Sequence, residues 1–211
     1  MGARRRLPDC GSAAPNIRCG ARRSPSASAR CCGFPRTHLG ILRSRSPQAL
    51  QCNARSMSID EIAEFLESLG GVLTLRPGPG DGSPELAWGD LFFYYAPDGR
   101  VPTRTQPFAT VVTKNYPDDE SSRLDRPGVF RLNIAAGREA FVATLGRTPR
   151  ENAAPAEDPS AVDTVIAHPV YGGAGWLAVV APGPRTDEVC RTLLRTAHER
   201  ARAAYERRTA N

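Results

Sequence analysis

A chain of 211 residues with a formal net charge of +6 invites a nucleic-acid or membrane-surface reading, because clustered cations attract phosphates. The charge is unevenly spread: residues 1–56 hold eleven arginines, no lysine and one acid, Asp9, a local +10, whereas 17 basic against 21 acidic residues leave −4 for the rest. The basic balance therefore says nothing about residues 57–211, whose roughly 155 positions suffice for a hydrophobic core without disulfide staples.

Arg, Ala, Pro, Gly and Ser fill 36 of the first 56 positions. With so little regular apolar spacing the segment buries too little surface to offset its ordering entropy, and disorder is expected there. Three explanations compete for it. The only methionines are Met1 and Met57, and Met57 directly precedes the first helix signal, so a translation start at Met57 is the favoured expectation. An organellar transit peptide matches the Arg- and Ser-rich, acid-poor composition but lacks an amphipathic helix. A basic arm for nucleic acid or acidic lipid would usually carry lysines too. A secretory signal is not expected, because the best apolar patch, Leu39–Leu42, is interrupted by Gly40 and falls well short of an h-region. Protein made from the native gene is expected to show an intact mass beginning at Met57; a species beginning at Met1 would refute the start-site reading. Cys10, Cys19, Cys31, Cys32 and Cys52 lie in this segment without a C-x-x-C pair, so no zinc site is expected.

Downstream, Ser58 and Glu61 form an S-x-x-E capping box, and Ile59, Ile62, Ala63, Leu66 and Leu69 follow with helical spacing, closed by Gly70 and Gly71. Val72 to Leu75 alternates as a strand, and Pro77 to Pro84 reads as loop. The aromatic run from Ala87 to Tyr95 predicts a second strand, reversing at Pro97-Asp98-Gly99. Phe108 to Thr113 and Val129 to Ile134 are two more strands, and Arg138 to Leu145 a short helix ended by Gly146. Residues 147–160 read as a mobile connection. Trp176 to Ala181 is the last strand, and Thr186 opens the longest helix, with Asp187 and Glu188 in its first turn and Arg207 and Arg208 in its last, as the macrodipole favours. The order α-β-β-β-β-α-β-α predicts an α+β fold, a mostly antiparallel sheet of about five strands covered by helices. No apolar run approaches the roughly 20 residues of a membrane span.

Chemistry-bearing residues are few. Cys190 falls on the apolar face of the last helix, where a thiol is inert, and His198 is assigned to that helix's exposed side. Asp118, Asp119 and Glu120 read as a solvated turn. Gly78, Gly80 and Gly82 lack the context of a phosphate cradle. What remains is a polar cluster: Asp125, Arg126, Arg131, Asn133 and Arg138 around the fourth strand, with His168, Tyr171 and Trp176 around the fifth. Alternation puts Arg131 and Asn133 on one strand face, opposite Phe130, Leu132 and Ile134. Such a face suits an anionic or planar ligand, with His168 and Tyr171 at its rim. The competing expectation, which we favour because surface sheets are usually polar on one side, is a solvated face tied by an Asp125 pair to Arg126 or Arg131.

The strings FFYYAPDG, PFATVVT, LDRPGVFRLNIAAGREAF, HPVYGGAGWLAVV and TDEVCRTLLRTAHERA, in this order, resemble an uncharacterised bacterial family of domains of unknown function, the DUF6194-like proteins, over nearly all of residues 57–211. The loops at 77–86 and 147–160 are longer than that resemblance implies. The layout is more distantly similar to MmcQ/YjbR-like proteins, which implies a nucleic-acid-binding alternative, opposed by the −4 charge. The leading expectation is a cytoplasmic, non-catalytic domain that binds a small ligand or protein partner, without cofactor, metal or membrane. The enzyme alternative uses His168 with Arg131 and requires that the two converge on one pocket.

Overall fold

A computed structural model describes residues 56–151 and 157–210, all within one compact unit, Gln48–Asn211. The expected disorder of residues 1–56 therefore falls, except for Ser56, outside the described residues. Among those described, three helices, α1 (Ile59–Ser68), α2 (Gly137–Leu145) and α3 (Asp187–Thr209), accompany six strands. The strands are β1 (Val72–Leu75), β2 (Leu91–Tyr95), β3 (Ala109–Val112), β4 (Arg131–Ile134), β5 (Val165–Ala167) and β6 (Leu177–Val180). They form one antiparallel sheet in the order β1-β2-β3-β4-β6-β5.

The capping box forms as the sequence predicts. Ser58 Oγ accepts from the Glu61 amide at 3.1 Å, and the Glu61 carboxylate accepts from the Ser58 amide at 2.8 Å. Ile62, Ala63 and Leu66 of α1 pack with Phe141 of α2 and Leu193, Leu194 and Ala197 of α3 onto one sheet face. That face presents Leu91, Phe93, Val111, Leu132, Ile134, Leu177 and Val179. Each such fully buried side chain contributes about 1.5–3 kcal/mol of transfer free energy, and the main core lies between this face and the helices.

The predicted five strands become six. The sequence reading passed over Val165–Ala167, a three-residue edge strand paired with β6, because three residues carry no legible alternation. The aromatic run also divides. Glu85–Ala87 is a 3₁₀ turn and the strand begins only at Leu91, since Gly89 takes φ +85° between them. His198 does not face solvent: it is buried, its Nε2–H donates to the Gly70 carbonyl at 2.9 Å, and its ring lies edge-on to Tyr95 and Phe108 at 5.3 and 5.7 Å.

The turn that leads into α3 is tied from a distance. The Thr186 side chain makes no cap bond to the helix. Instead Asp163, just ahead of β5, accepts from the amides of Gly183 at 2.8 Å, Arg185 at 3.1 Å and Thr186 at 3.1 Å, and from the Thr186 hydroxyl at 2.6 Å. Burial pushes the Asp163 carboxyl up, but the Thr186 hydroxyl and the Arg185 and Gly183 amides outweigh it and hold the group below the usual carboxylate range.

A candidate ligand cleft on the open face of the sheet

Because all three helices pack on one face, the opposite face is covered only by loops. The register aligns Phe92, Thr110, Asn133 and Ala178 in one row across it, and Val112, Arg131 and Val180 in the next. The loop between β3 and β4 folds over the second row, where Leu124 packs with Val112 and Val180. Arg126 clamps that loop: its guanidinium donates to the carbonyls of Arg123, Ser122 and Ser160 at 2.8, 3.1 and 3.2 Å.

The expected solvated face is not what forms. Arg131 is 2% exposed and Asn133 is buried, because the loop seals them. A buried guanidinium must find acceptors for its five N–H groups. Nε donates to Asn133 Oδ1 at 2.8 Å, and Nη1 to Asp119 Oδ1 at 3.0 Å and Ser122 Oγ at 2.8 Å. Nη2 donates to Asp119 Oδ2 and also faces His168 Nε2 at 3.3 Å. Asn133 passes the chain on, its Nδ2 donating to Thr110 Oγ1 on the neighbouring strand at 2.9 Å. The counter-ion is therefore Asp119, not Asp125, which stays exposed. The turn assigned to solvent supplies the carboxylate, with Asp118 in the left-handed region at φ 67° swinging the chain inward.

This network floors a cleft of about 710 Å³. Phe92 and Tyr94 of β2, Tyr116, and Tyr171 with Trp176 form aromatic walls, and Thr103 to Pro107 of the β2–β3 loop bound the remaining side. Tyr116 is fixed from behind by the fully buried Asp90, whose carboxylate accepts its hydroxyl and both the amide and the hydroxyl of Thr113 at 2.8 Å. Burial first, and then Asp90, hold the Tyr116 hydroxyl well above its ordinary range. Tyr171 and Trp176 flank the tight turn Gly172–Ala174, and Gly175 takes φ +84° against the Gly137 backbone, where a Cβ would come within 3.3 Å. That close approach sets where Trp176 leaves the turn.

His168 ties floor to wall. Its ring is 4.9 Å from Tyr171 and 6.4 Å from Trp176, and its Nδ1 accepts from the amides of Val170 at 3.1 Å and Tyr171 at 3.2 Å. Burial, reinforced by the Arg131 charge and only partly opposed by Asp119, lowers its pKa to about 3. The free side chain titrates near 6.5, so the unfolded chain takes up this proton first as pH falls. The contribution of the neutral ring to stability is thus intact above about pH 6.5 and lost progressively toward pH 3. The His168 ring is expected to show no NMR titration between pH 5 and 8, and His168→Phe to flatten the stability–pH curve between 6.5 and 3. A ring midpoint near 6.5 would refute the assignment.

A family model described as a family of unknown function (DUF6194) matches residues 57–210. The chain belongs to the DUF6194 family. No curated protein and no solved structure matches it, so the layout likeness to MmcQ/YjbR-like proteins stands without a matched structure. In this DUF6194 domain, Arg131, Asn133, His168, Tyr171 and Trp176 come together at the cleft, whereas Asp125, Arg126 and Arg138 do not line it. Arg126 is the loop clamp, and Arg138 lies exposed in the first turn of α2. Sequence reading missed Asp119, Ser122, Thr110, Tyr116, Phe92 and Tyr94. Alternation along β2 is the one signal for Phe92 and Tyr94, and it is masked because Phe93 and Tyr95, on the other face, are aromatic too. Among the described residues no three His, Cys, Asp or Glu side chains gather to hold a metal, and no helix is long and apolar enough to cross a membrane.

Proposed function

We propose that residues 57–211 form a cytoplasmic, non-catalytic binding domain that holds a small planar ligand between the aromatic walls, its polar edge on the floor built from Arg131, Asn133 and His168. The observation that carries this is a nine-tenths buried, neutralised guanidinium beneath an aromatic cleft of about 710 Å³, a volume within the range of small-molecule sites. Folding alone has no need of that ion pair, since apolar side chains of similar volume are commonly as stabilising or more so. A polar floor under stacking surfaces is the arrangement that orients a flat, hydrogen-bonding molecule.

His168 and Arg131 do converge, at 3.3 Å, which meets the geometric requirement of the enzyme alternative. The low basicity of the ring nevertheless leaves it unable to carry a proton near neutral pH, as general acid–base work requires, and this favours binding. The nucleic-acid alternative gains nothing from the cleft, whose charged lining residues Arg104, Arg131, Asp118 and Asp119 cancel.

The test is an NMR fragment screen of the full chain with bicyclic heteroaromatics. Shifts are expected to cluster on Phe92, Tyr171 and Trp176 and to vanish in Trp176→Ala, a variant of a half-buried residue whose fold is checked by circular dichroism. Shifts scattered elsewhere, or unaffected by that substitution, would reject the cleft as the site.

A further inference from the structure

A neutral imidazole offers one lone pair and one N–H. Around His168, three N–H groups face the ring: the Val170 and Tyr171 amides at Nδ1 and Arg131 Nη2 at Nε2. Two amide donors on Nδ1 mark it as the acceptor, so the ring proton sits on Nε2. Nε2–H and an Nη2–H of Arg131 then confront each other across 3.3 Å, two donors with no acceptor between them. His168 is 2% exposed and lines the cleft, so this unmatched donor is buried at the ligand's end of the floor. Leaving such a group unanswered is costly, and an oxygen with two lone pairs, seated beside both nitrogens, answers it.

The charge of that oxygen follows from its surroundings. Asp119 already neutralises Arg131, and the remaining charged groups lining the cleft, Arg104 and Asp118, are exposed and opposite in sign. An anionic ligand would bring an uncompensated charge to a buried spot next to a carboxylate. A neutral carbonyl meets both donors without that cost. Resting on the planar-ligand reading above, we propose that the ligand is a heteroaromatic lactam, a flat ring bearing a carbonyl oxygen of the pyrimidinone or pyridone kind, whose oxygen is held jointly by His168 Nε2 and Arg131 Nη2. His168 is thereby the specificity-determining residue of the cleft, and Asp119 and Asn133 position Arg131.

Three bicyclic probes of one shape decide it: quinolin-2-one, 2-aminoquinoline and quinoline-2-carboxylate, titrated into the full chain and followed at the Trp176 indole by NMR. Quinolin-2-one is expected to bind at least tenfold more tightly than either other probe. His168→Phe, which keeps a ring in the aromatic cluster, is expected to reduce quinolin-2-one affinity about tenfold more than that of 2-aminoquinoline. Equal affinities for the three probes, or tightest binding by the carboxylate, would overturn the lactam assignment while leaving the cleft reading in place. No binding by any of them, with the indole unmoved, would overturn both.

Discussion

Arg131→Met is expected to destabilise the domain by about 3–5 kcal/mol, the usual effect of removing one partner from a buried ion pair. The size follows from what the substitution strands. Asp119, only 14% exposed on its side chain, loses its counter-ion, and Ser122 and Asn133 lose the donor that each accepts. The loop between β3 and β4 is closed over the sheet by the same contacts, so its own packing through Leu124 weakens with them. Urea unfolding followed by circular dichroism measures the loss. A change below about 1 kcal/mol would mean that water reaches Asp119 freely and that the floor is not sealed as described. Adding Asp119→Leu to that variant is expected to recover part of the loss, because it removes the stranded carboxylate, and this separates the penalty of an unpaired charge from the net worth of the pair.

Adjacent phenylalanines on β2 provide the second large contrast. Phe93 is fully buried against the helices, and Phe93→Ala is expected to cost about 3–5 kcal/mol through lost burial and the cavity left behind. Phe92, one residue earlier on the opposite face, is half-buried in the cleft wall. Phe92→Ala is expected to cost only about 1 kcal/mol and to weaken ligand binding instead. Thermal and urea unfolding of the two variants, with ligand titration of the milder one, measures both effects. Equal destabilisation would show that the open face is as tightly packed as the helical one.

Element type was largely legible in the chain, because its signals are local. The Ser58–Glu61 box, the acidic and basic ends of α3 and the turn glycines each act within a few residues, and each appears where its chemistry predicts. β5 was not legible. Its three residues owe their strand state to pairing with β6, a contact between distant segments that no window around Val165 contains. The site divides in the same way. Arg131 and Asn133 could be placed on one face by alternation, and His168, Tyr171 and Trp176 stood out by residue type. Their surroundings depended on a loop closing over the sheet: a charge near a strand reads as solvated until Asp119 and Ser122 arrive from another part of the chain to receive it. His198 was misplaced for a similar reason, since the carbonyl that accepts its proton belongs to Gly70, 128 residues earlier in the chain.

Asp163 shapes how the molecule comes apart. A three-residue strand at the rim of a sheet would ordinarily peel first, at small expense. Here the carboxylate leading into that strand also occupies the amides of Gly183, Arg185 and Thr186, in the turn that leads into the final helix, so the rim cannot detach without baring them. The two segments are therefore expected to open together, and hydrogen exchange is expected to show their amide protons leaving at a shared rate.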